Sequence, residues 1–302
     1  MDAIINLNKP SGITSNGAIG QLKRLTGEKK MGHLGTLDPM ANGVLPIFTG
    51  KMTKLIPYFN QNDKAYRAEV TLGAVSDTLD AEGVLSPVPI PAGITLGAVE
   101  AALARFTGEI TQVPPIYSAL KQDGRRLYDL ARKGVAVEPE ARQVTVYWIR
   151  EVEWESPKIR FEVFVSKGTY IRSLARDLGE ALGSGAHLSA LTRTRVGEVF
   201  ELQDSIMLDQ IEKTEQVDIF LRALRPASLL SDWNQLTALD EAEERALRNG
   251  NRIPVEPQRI RQQQPLERRC YITDRQGQLL CAGFLEFSQD SLLWFQPEKV
   301  LV

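Results

Sequence analysis

The sequence predicts an α+β protein, a larger mixed body followed by a small β-rich module, on three observations. Segments whose apolar residues alternate every second position are interspersed with segments of helical apolar spacing from Ile4 to about Arg195. After about Arg225 the chain turns polar and acidic, then offers one helix and two strands, which divides it into residues 1–225 and 226–302. At 302 residues, with 43% hydrophobic and 25% charged residues, it is long enough for one large domain plus a small one and has the composition of a globular protein.

The elements follow in order. "AIINLNKP" reads as a short buried strand stopped by Pro10 and Gly12. Thr14 or Ser15 can cap a helix through "NGAIGQLKRLTG", where Ile19, Leu22 and Leu25 recur at helical spacing and Gly27 supplies the stop. "MGHLGTLDPMANGVLP" reads as a loop whose three glycines, Gly32, Gly35 and Gly43, let a backbone approach a ligand. "KAYRAEVTLG" alternates, placing Tyr66, Ala68, Val70 and Leu72 inward. "TLGAVEAALARFTG" is a helix with Leu96, Val99, Leu103 and Phe106 on its stripe and Gly108 ending it. Pro114 to Gly134 is an irregular basic segment with Tyr117 and Tyr128 interleaved, its second half suited to a short helix. "RQVTVYWIREVEWE" and "IRFEVFVSKG" form a hairpin around "SPK". A helix then starts near Thr169, with Tyr170 and Arg172 in its first turn, and "HLSALTRTRVG" is another strand. The last elements are the helix "DEAEERALRNG" and two strands around Arg275 and Gly277.

Composition narrows the chemistry. The two cysteines, Cys270 and Cys281, have no CxxC partner, and His33 and His187 are the only histidines, so zinc and triad chemistry lack material. No cofactor or metal is expected: the chain carries neither a P-loop nor a dinucleotide fingerprint. No apolar run approaches the roughly 18 residues that cross a bilayer, and no secretory signal is legible at the start, so a cytoplasmic protein is expected. Net charge is −2, yet residues 1–70 hold nine Lys and Arg against five Asp and Glu, and residues 201–260 hold seven against twelve. That asymmetry permits an RNA partner and equally suits solvated faces of differing sign.

Reaction chemistry must therefore rest on carboxylates, tyrosines, lysines and arginines. Asp followed by Pro is a common turn pair, so the residues alone leave Asp38 either a turn residue or a reagent that Pro39 presents from a stiff backbone. Arg172 in a helix's first turn opposes the helix dipole, which calls for a carboxylate or phosphate partner. Tyr66 and Leu191 taken alone are core positions and His33 a structural residue, while Lys121, Arg125, Arg126, Arg132 and Lys133 mixed with tyrosines suit an RNA backbone or a solvated face.

Five segments in fixed order, "LNKPSGITS", "GHLGTLDPMANGVLP", "KAYRAEVTLG", "PPIYSALKQDGRRLYDLARKG" and "SKGTYIRSLARDLG", resemble the TruB family of tRNA pseudouridine synthases over about Ile5 to Arg195. The resemblance implies a pseudouridine synthase fold: a central mixed, largely antiparallel sheet flanked by helices, plus a small C-terminal PUA-like domain. It implies that Asp38, in "GTLDP", is the catalytic aspartate, that His33, Tyr66, Tyr170 and Leu191 line the pocket for a flipped uridine, and that Arg172 pairs with the aspartate. It further implies a monomer acting on the tRNA T stem-loop at uridine 55 without cofactor or metal. Asn8 and Asn42 depart from residues the family often has, Asp and Thr or Ser, away from these reagents. Three rivals remain: a guide-RNA-dependent relative, a non-catalytic RNA-binding or RNA-folding module, and a glycoside hydrolase, for which no second carboxylate facing Asp38 is evident.

Overall fold

The computed structural model describes residues 2–59, 63–117, 121–122, 125–126, 139–213, 229–230, 232–260 and 268–302. Its centre is a ten-stranded sheet. The strands of the body are β1 (Ile4–Lys9), β2 (Met31–His33), β3 (Asn42–Thr49), β4 (Lys64–Leu72), the small hairpin β5 (Ala74–Ser76) and β6 (Leu85–Pro87), β7 (Gly108–Gln112), the short pair β8 (Lys121–Gln122) and β9 (Arg125–Arg126), β10 (Arg142–Glu155), β11 (Lys158–Val165), β12 (Ala186–Val196), β13 (Phe200–Glu201) and β14 (Ile206–Met207). The sheet runs β14-β1-β3-β12-β4-β11-β10-β7, with β2 on β3 and β13 on β12. Among the described residues of this sheet only β1/β14 and β3/β12 pair in parallel, so it is mixed and largely antiparallel, as expected.

Helices α1 (Ser15–Thr26), α2 (Leu96–Ala104), α3 (Ile171–Ala181) and α4 (Leu208–Lys213) contribute to one core with the inward side chains of the strands. Thr14 caps α1, its hydroxyl accepting the Gly17 N–H at 2.9 Å, and Gly27 ends it with φ +71°. α2 is shorter than its stripe suggests. It stops at Ala104, Leu96 is 43% exposed, and Gly108 opens β7 instead. α3 begins at Ile171, so Tyr170 is its cap position and only Arg172 lies within the helix.

The segment read as one loop between Met31 and Pro46 is two strands around a short turn. β3 is buried on both faces, so its apolar run from Val44 to Phe48 shows no alternation to mark it as a strand. Leu45 and Ile47 join the helix-covered core, whereas Val44 and Phe48 face the opposite way with Ile4.

The C-terminal module is a five-stranded sheet ordered β15-β17-β18-β19-β16, from β15 (Asn234–Thr237), β16 (Ile253–Pro254), β17 (Arg269–Thr273), β18 (Leu279–Phe287) and β19 (Leu293–Val300), with helix α5 (Glu241–Arg248) capped by Asp240. Trp233, Tyr271, Leu279 and Leu301 share a core with Ile4, Val44, Phe48 and Phe200. The module thus covers the second face of β1 and β3. The division expected at residues 225 and 226 falls outside the described residues, as do Tyr128, Arg132 and Lys133.

Candidate active site

Asp38 sits in the turn between β2 and β3, where most of the backbone is tied down by neighbours rather than by the turn itself. Ser15 at the start of α1 accepts the Leu37 N–H at 2.9 Å and donates to the Leu37 carbonyl at 3.1 Å. The Pro39 carbonyl takes the Gly12 N–H at 2.8 Å and the Lys9 ammonium at 3.3 Å. Lys9 is fully buried, with its remaining bonds to the Pro10 and Ile13 carbonyls at 2.8 and 2.7 Å, and burial brings its pKa down to about 8.

A buried arginine holds the other end of the turn. Arg193 on β12 is fully buried and donates to the carbonyls of Val44 at 2.7 Å, Gly35 at 3.0 Å and Thr36 at 3.3 Å. Glycine is required where these elements meet. Gly43 has φ +101°, and a Cβ there would clash with the Arg193 carbonyl oxygen.

The carboxylate of Asp38 faces Arg172. The Arg172 Nη2 donates to Asp38 Oδ1 at 3.1 Å, and Nε lies 3.0 Å from Oδ2. The same guanidinium donates to the carbonyls of Tyr117 at 3.0 Å and Thr78 at 3.1 Å, with Nη1 at 3.4 Å from Asp80. These partners explain a cation in the first turn of α3: two carboxylates and two carbonyls outweigh the adverse helix dipole. Gln112 of β7 anchors the helix start, accepting the Tyr170 N–H at 2.8 Å and donating to its carbonyl at 3.1 Å.

Around this pair lies a cavity of about 610 Å³. Asp38, Tyr66, Tyr170, Arg172 and Leu191 all line it, joined by Lys64, Asp80, Glu82 and Arg193. Strand register explains the grouping, since Leu191 and Arg193 of β12 pair with Ala68 and Tyr66 of β4 on the same face. His33 does not line the cavity. It ends β2, is half-buried, and its pKa is lowered by burial and by the Arg193 charge.

Opposing influences act on the carboxylate. Burial pushes the Asp38 pKa up from the ordinary value, Arg172 opposes this, and Asp80 adds to the rise. Burial likewise raises the Tyr66 phenol, with Arg193 pulling the other way. The arrangement supplies the Asp38 carboxylate held against an arginine that also faces Asp80, and an aromatic and aliphatic wall that can receive a planar base.

The chain matches the family model "TruB family pseudouridylate synthase (N terminal domain)" over residues 23–171 and "tRNA pseudouridylate synthase B C-terminal domain" over residues 172–227. It is 41% identical over its whole length to the tRNA pseudouridine synthase B of Burkholderia mallei, spanning 97% of that protein. The chain belongs to the TruB family of pseudouridylate synthases. The enzyme of the same name from Burkholderia lata is 44% identical over 84% of this chain and 78% of its own length. Two solved structures, an H/ACA RNP bound to a substrate RNA containing 2′-deoxyuridine and a Cbf5-Nop10-Gar1 complex, each align over 99% of this chain and 85% of their own at 26% identity, with TM-score 0.70. The chain is therefore an isomerase of the pseudouridine synthase class with the corresponding fold.

Five of the six residues expected from the sequence meet in one cavity. Four others were not expected. Arg193 had a signal: it lies two positions after Leu191, which strand alternation turns inward, and an inward arginine needs a reason. Lys64 likewise precedes Tyr66 by two. Asp80 and Glu82 come from "SDTLDAEG", whose loop has no periodicity to show which way its acids point. They also supply the second carboxylate that the glycoside hydrolase alternative appeared to lack, but Asp80 is committed to Arg172 and to the Thr78 hydroxyl at 2.6 Å.

Proposed function

We propose that the protein converts uridine to pseudouridine at position 55 in the T loop of tRNA, with Asp38 as the catalytic carboxylate. The observation that carries the reading is the Asp38–Arg172 pair set into a cavity walled by Tyr66 and Leu191. The names of its relatives at 41–44% identity support tRNA as substrate.

The reaction breaks the bond from N1 to C1′ and forms one from C5 to C1′, with C5 losing a proton and N1 gaining one. No atom is gained or lost overall. The target base is stacked within folded RNA, so it must be flipped out, at a cost of a few kcal/mol that aromatic and apolar contacts in the pocket offset. Tyr66 and Leu191 pack the extruded uracil, Tyr170 borders the sugar, and Arg172 orients the Asp38 carboxylate, which attacks the sugar or base or removes a proton from the carbon beside C1′. His33, outside the cavity at the start of the turn, contacts RNA next to the flipped nucleotide. The C-terminal sheet binds RNA farther from the reacting base.

The test is pseudouridine mapping in unmodified tRNA transcript exposed to the purified protein with no guide RNA. Conversion at position 55 is expected, and Asp38→Ala removes it while transcript binding persists. Conversion only when a guide RNA is supplied, or at another position, overturns the reading. Tyr66→Phe keeps the stacking ring, so a slower turnover with little change in RNA affinity is expected.

A further inference from the structure

We propose that a second cavity, where the C-terminal module meets the body, is a subsite for a guanine base. It encloses about 590 Å³, and among the described residues it shares none with the cavity around Asp38. That volume falls in the range of about 300–1,000 Å³ usual for small-molecule sites. The body contributes Phe164 and Arg195 to its walls, and the module contributes Trp233 and Arg269.

Arg195 carries the inference. The register of β12 shifts between Arg193 and Arg195, which pair with Tyr66 and Ala65 of β4, neighbours that point to opposite faces. The shift re-aims the second arginine away from the Asp38 cavity and into this one. Its guanidinium carbon stands 4.5 Å from the centre of the Phe164 ring, and its Nε is buried with no hydrogen-bond partner. Among the described residues no carboxylate lies within ion-pair distance of it either. A guanidinium carries five N–H donors, and burying one of them without an acceptor costs stability unless a ligand supplies the partner.

Arg269 repeats the pattern on the other wall. Its guanidinium stands 5.5 Å from the Trp233 ring, which meets Tyr58 edge-on at 5.0 Å. Rings and guanidinium planes are the surfaces on which bases stack. The two arginines face three carboxylates, so the cavity offers a phosphate little net attraction. Asp63 takes the Tyr147 hydroxyl, whereas Glu198 and Asp232 are exposed at the rim with no hydrogen bond or ion pair among the described residues. Free donors beside free acceptors suit a neutral ring that presents acceptors on one edge and donors on another. Guanine does so: O6 and N7 accept from an arginine fork, while N1–H and the 2-amino group donate to a carboxylate. Adenine sets an amino group beside N7, where the fork would meet another donor, and has no proton at N1.

The experiment has two arms, because the base can belong to the substrate RNA or to a free nucleotide. In the first, GMP and AMP are titrated into the full-length protein. GMP is expected to bind at least about tenfold more tightly, and Arg195→Met to abolish that preference. Arg195→Lys should not restore it, since an ammonium cannot make the fork. The double variant Glu198→Gln, Asp232→Asn, changed only at exposed positions, should lose the preference as well, and it carries the comparison if Arg195→Met does not fold. In the second arm, 7-deazaguanosine, which lacks N7, replaces guanosine at one random position per molecule of tRNA transcript, and bound and free fractions are compared. Depletion of one position from the wild-type bound fraction, absent with Arg195→Met, assigns the base to the RNA. GMP preference without such depletion supports the subsite and assigns it to a free nucleotide. Equal binding of GMP and AMP with no Arg195-dependent position, or full function in Arg195→Lys, overturns it. Only the transcript arm rests on the tRNA reading, so a wild type that selects GMP but makes no pseudouridine sinks the assigned reaction and leaves the subsite standing.

Discussion

The two faces of β4 carry the same kinds of group to opposite ends. Tyr66 looks into the cavity, beside Arg193 and the Asp38–Arg172 pair. Arg67, the next residue, belongs to an open ladder in which Glu162 bridges Arg67 at 2.7 Å and Arg150 at 2.9 Å, while Glu69 bridges Lys158 at 2.9 Å and Arg160 at 2.8 Å. The ladder's cations are 41–65% exposed, whereas the Arg172 side chain is 6% exposed. Water reaches the ladder's cations and weakens each of their pairs, whereas burial of the Arg172 guanidinium makes its charge expensive and fixes its direction.

The largest break in this comparison is on the buried face. Asp38→Ala is expected to lower kcat by at least about 10⁴-fold, since on the proposed reading it removes the carboxylate that acts on the substrate. Stability should change much less, because Arg172 keeps Asp80 and two carbonyls. Single-turnover conversion alongside urea denaturation separates the two effects. Turnover within tenfold of wild type would remove Asp38 from the chemistry.

Arg172 tests how far orientation matters. Arg172→Lys keeps a charge but loses the fork that reaches Asp38, Asp80, Thr78 and Tyr117 together, so a loss of about 10²-fold in kcat is expected. The pH profile gives the sign. If Asp38 acts as a carboxylate as proposed, its pKa, raised by burial above the usual 3.8, should place the acid limb of kcat/KM above that value. Arg172 holds the pKa down, so a weaker partner should move the limb to still higher pH. A limb that stays put would mean that another group titrates.

A third expectation concerns the support under the site. Gly43→Ala should destabilise the fold by about 2–4 kcal/mol, because the backbone at φ +101° is strained for any side chain and the Arg193 carbonyl occupies the space. A thermal or urea midpoint decides it, and a change below about 0.5 kcal/mol would show that β3 and β12 separate easily.

How much of this was legible follows from the kind of signal each part emits. β4 and the β10–β11 hairpin were readable, since one face of each meets water and the alternation shows. β3 was not, because both its faces are buried, one under helices and one under the C-terminal sheet. Asp38 on residue chemistry alone read as a turn-former ahead of a reagent, and it took four companion motifs, read as a resemblance, to reverse that order and set it beside Tyr66 and Arg172. Asp80 and Lys9 stayed invisible because a loop acid and a strand-end lysine look solvated until the fold closes around them.

The smallest effect lies on the open face, and its smallness is the point. Burial works to raise Glu69 and Glu162, but hydrogen bonds from Lys158, Arg160 and Ser189 to the first, and from Arg67 and Arg150 to the second, hold both below the usual 4.5. A carboxylate depressed in the folded state stabilises it above the unfolded value, and that contribution disappears as pH falls through the folded value. The ladder therefore stabilises the protein at neutral pH and is lost below about pH 4.5. With cations this exposed the contribution is small, so Glu162→Gln should cost about 1 kcal/mol or less at pH 7 and nothing at pH 2, with kcat/KM unchanged. A cost above about 3 kcal/mol, or an effect on turnover, would mean that the sheet transmits charge from one face to the other, and the division of labour between Tyr66 and Arg67 would fail.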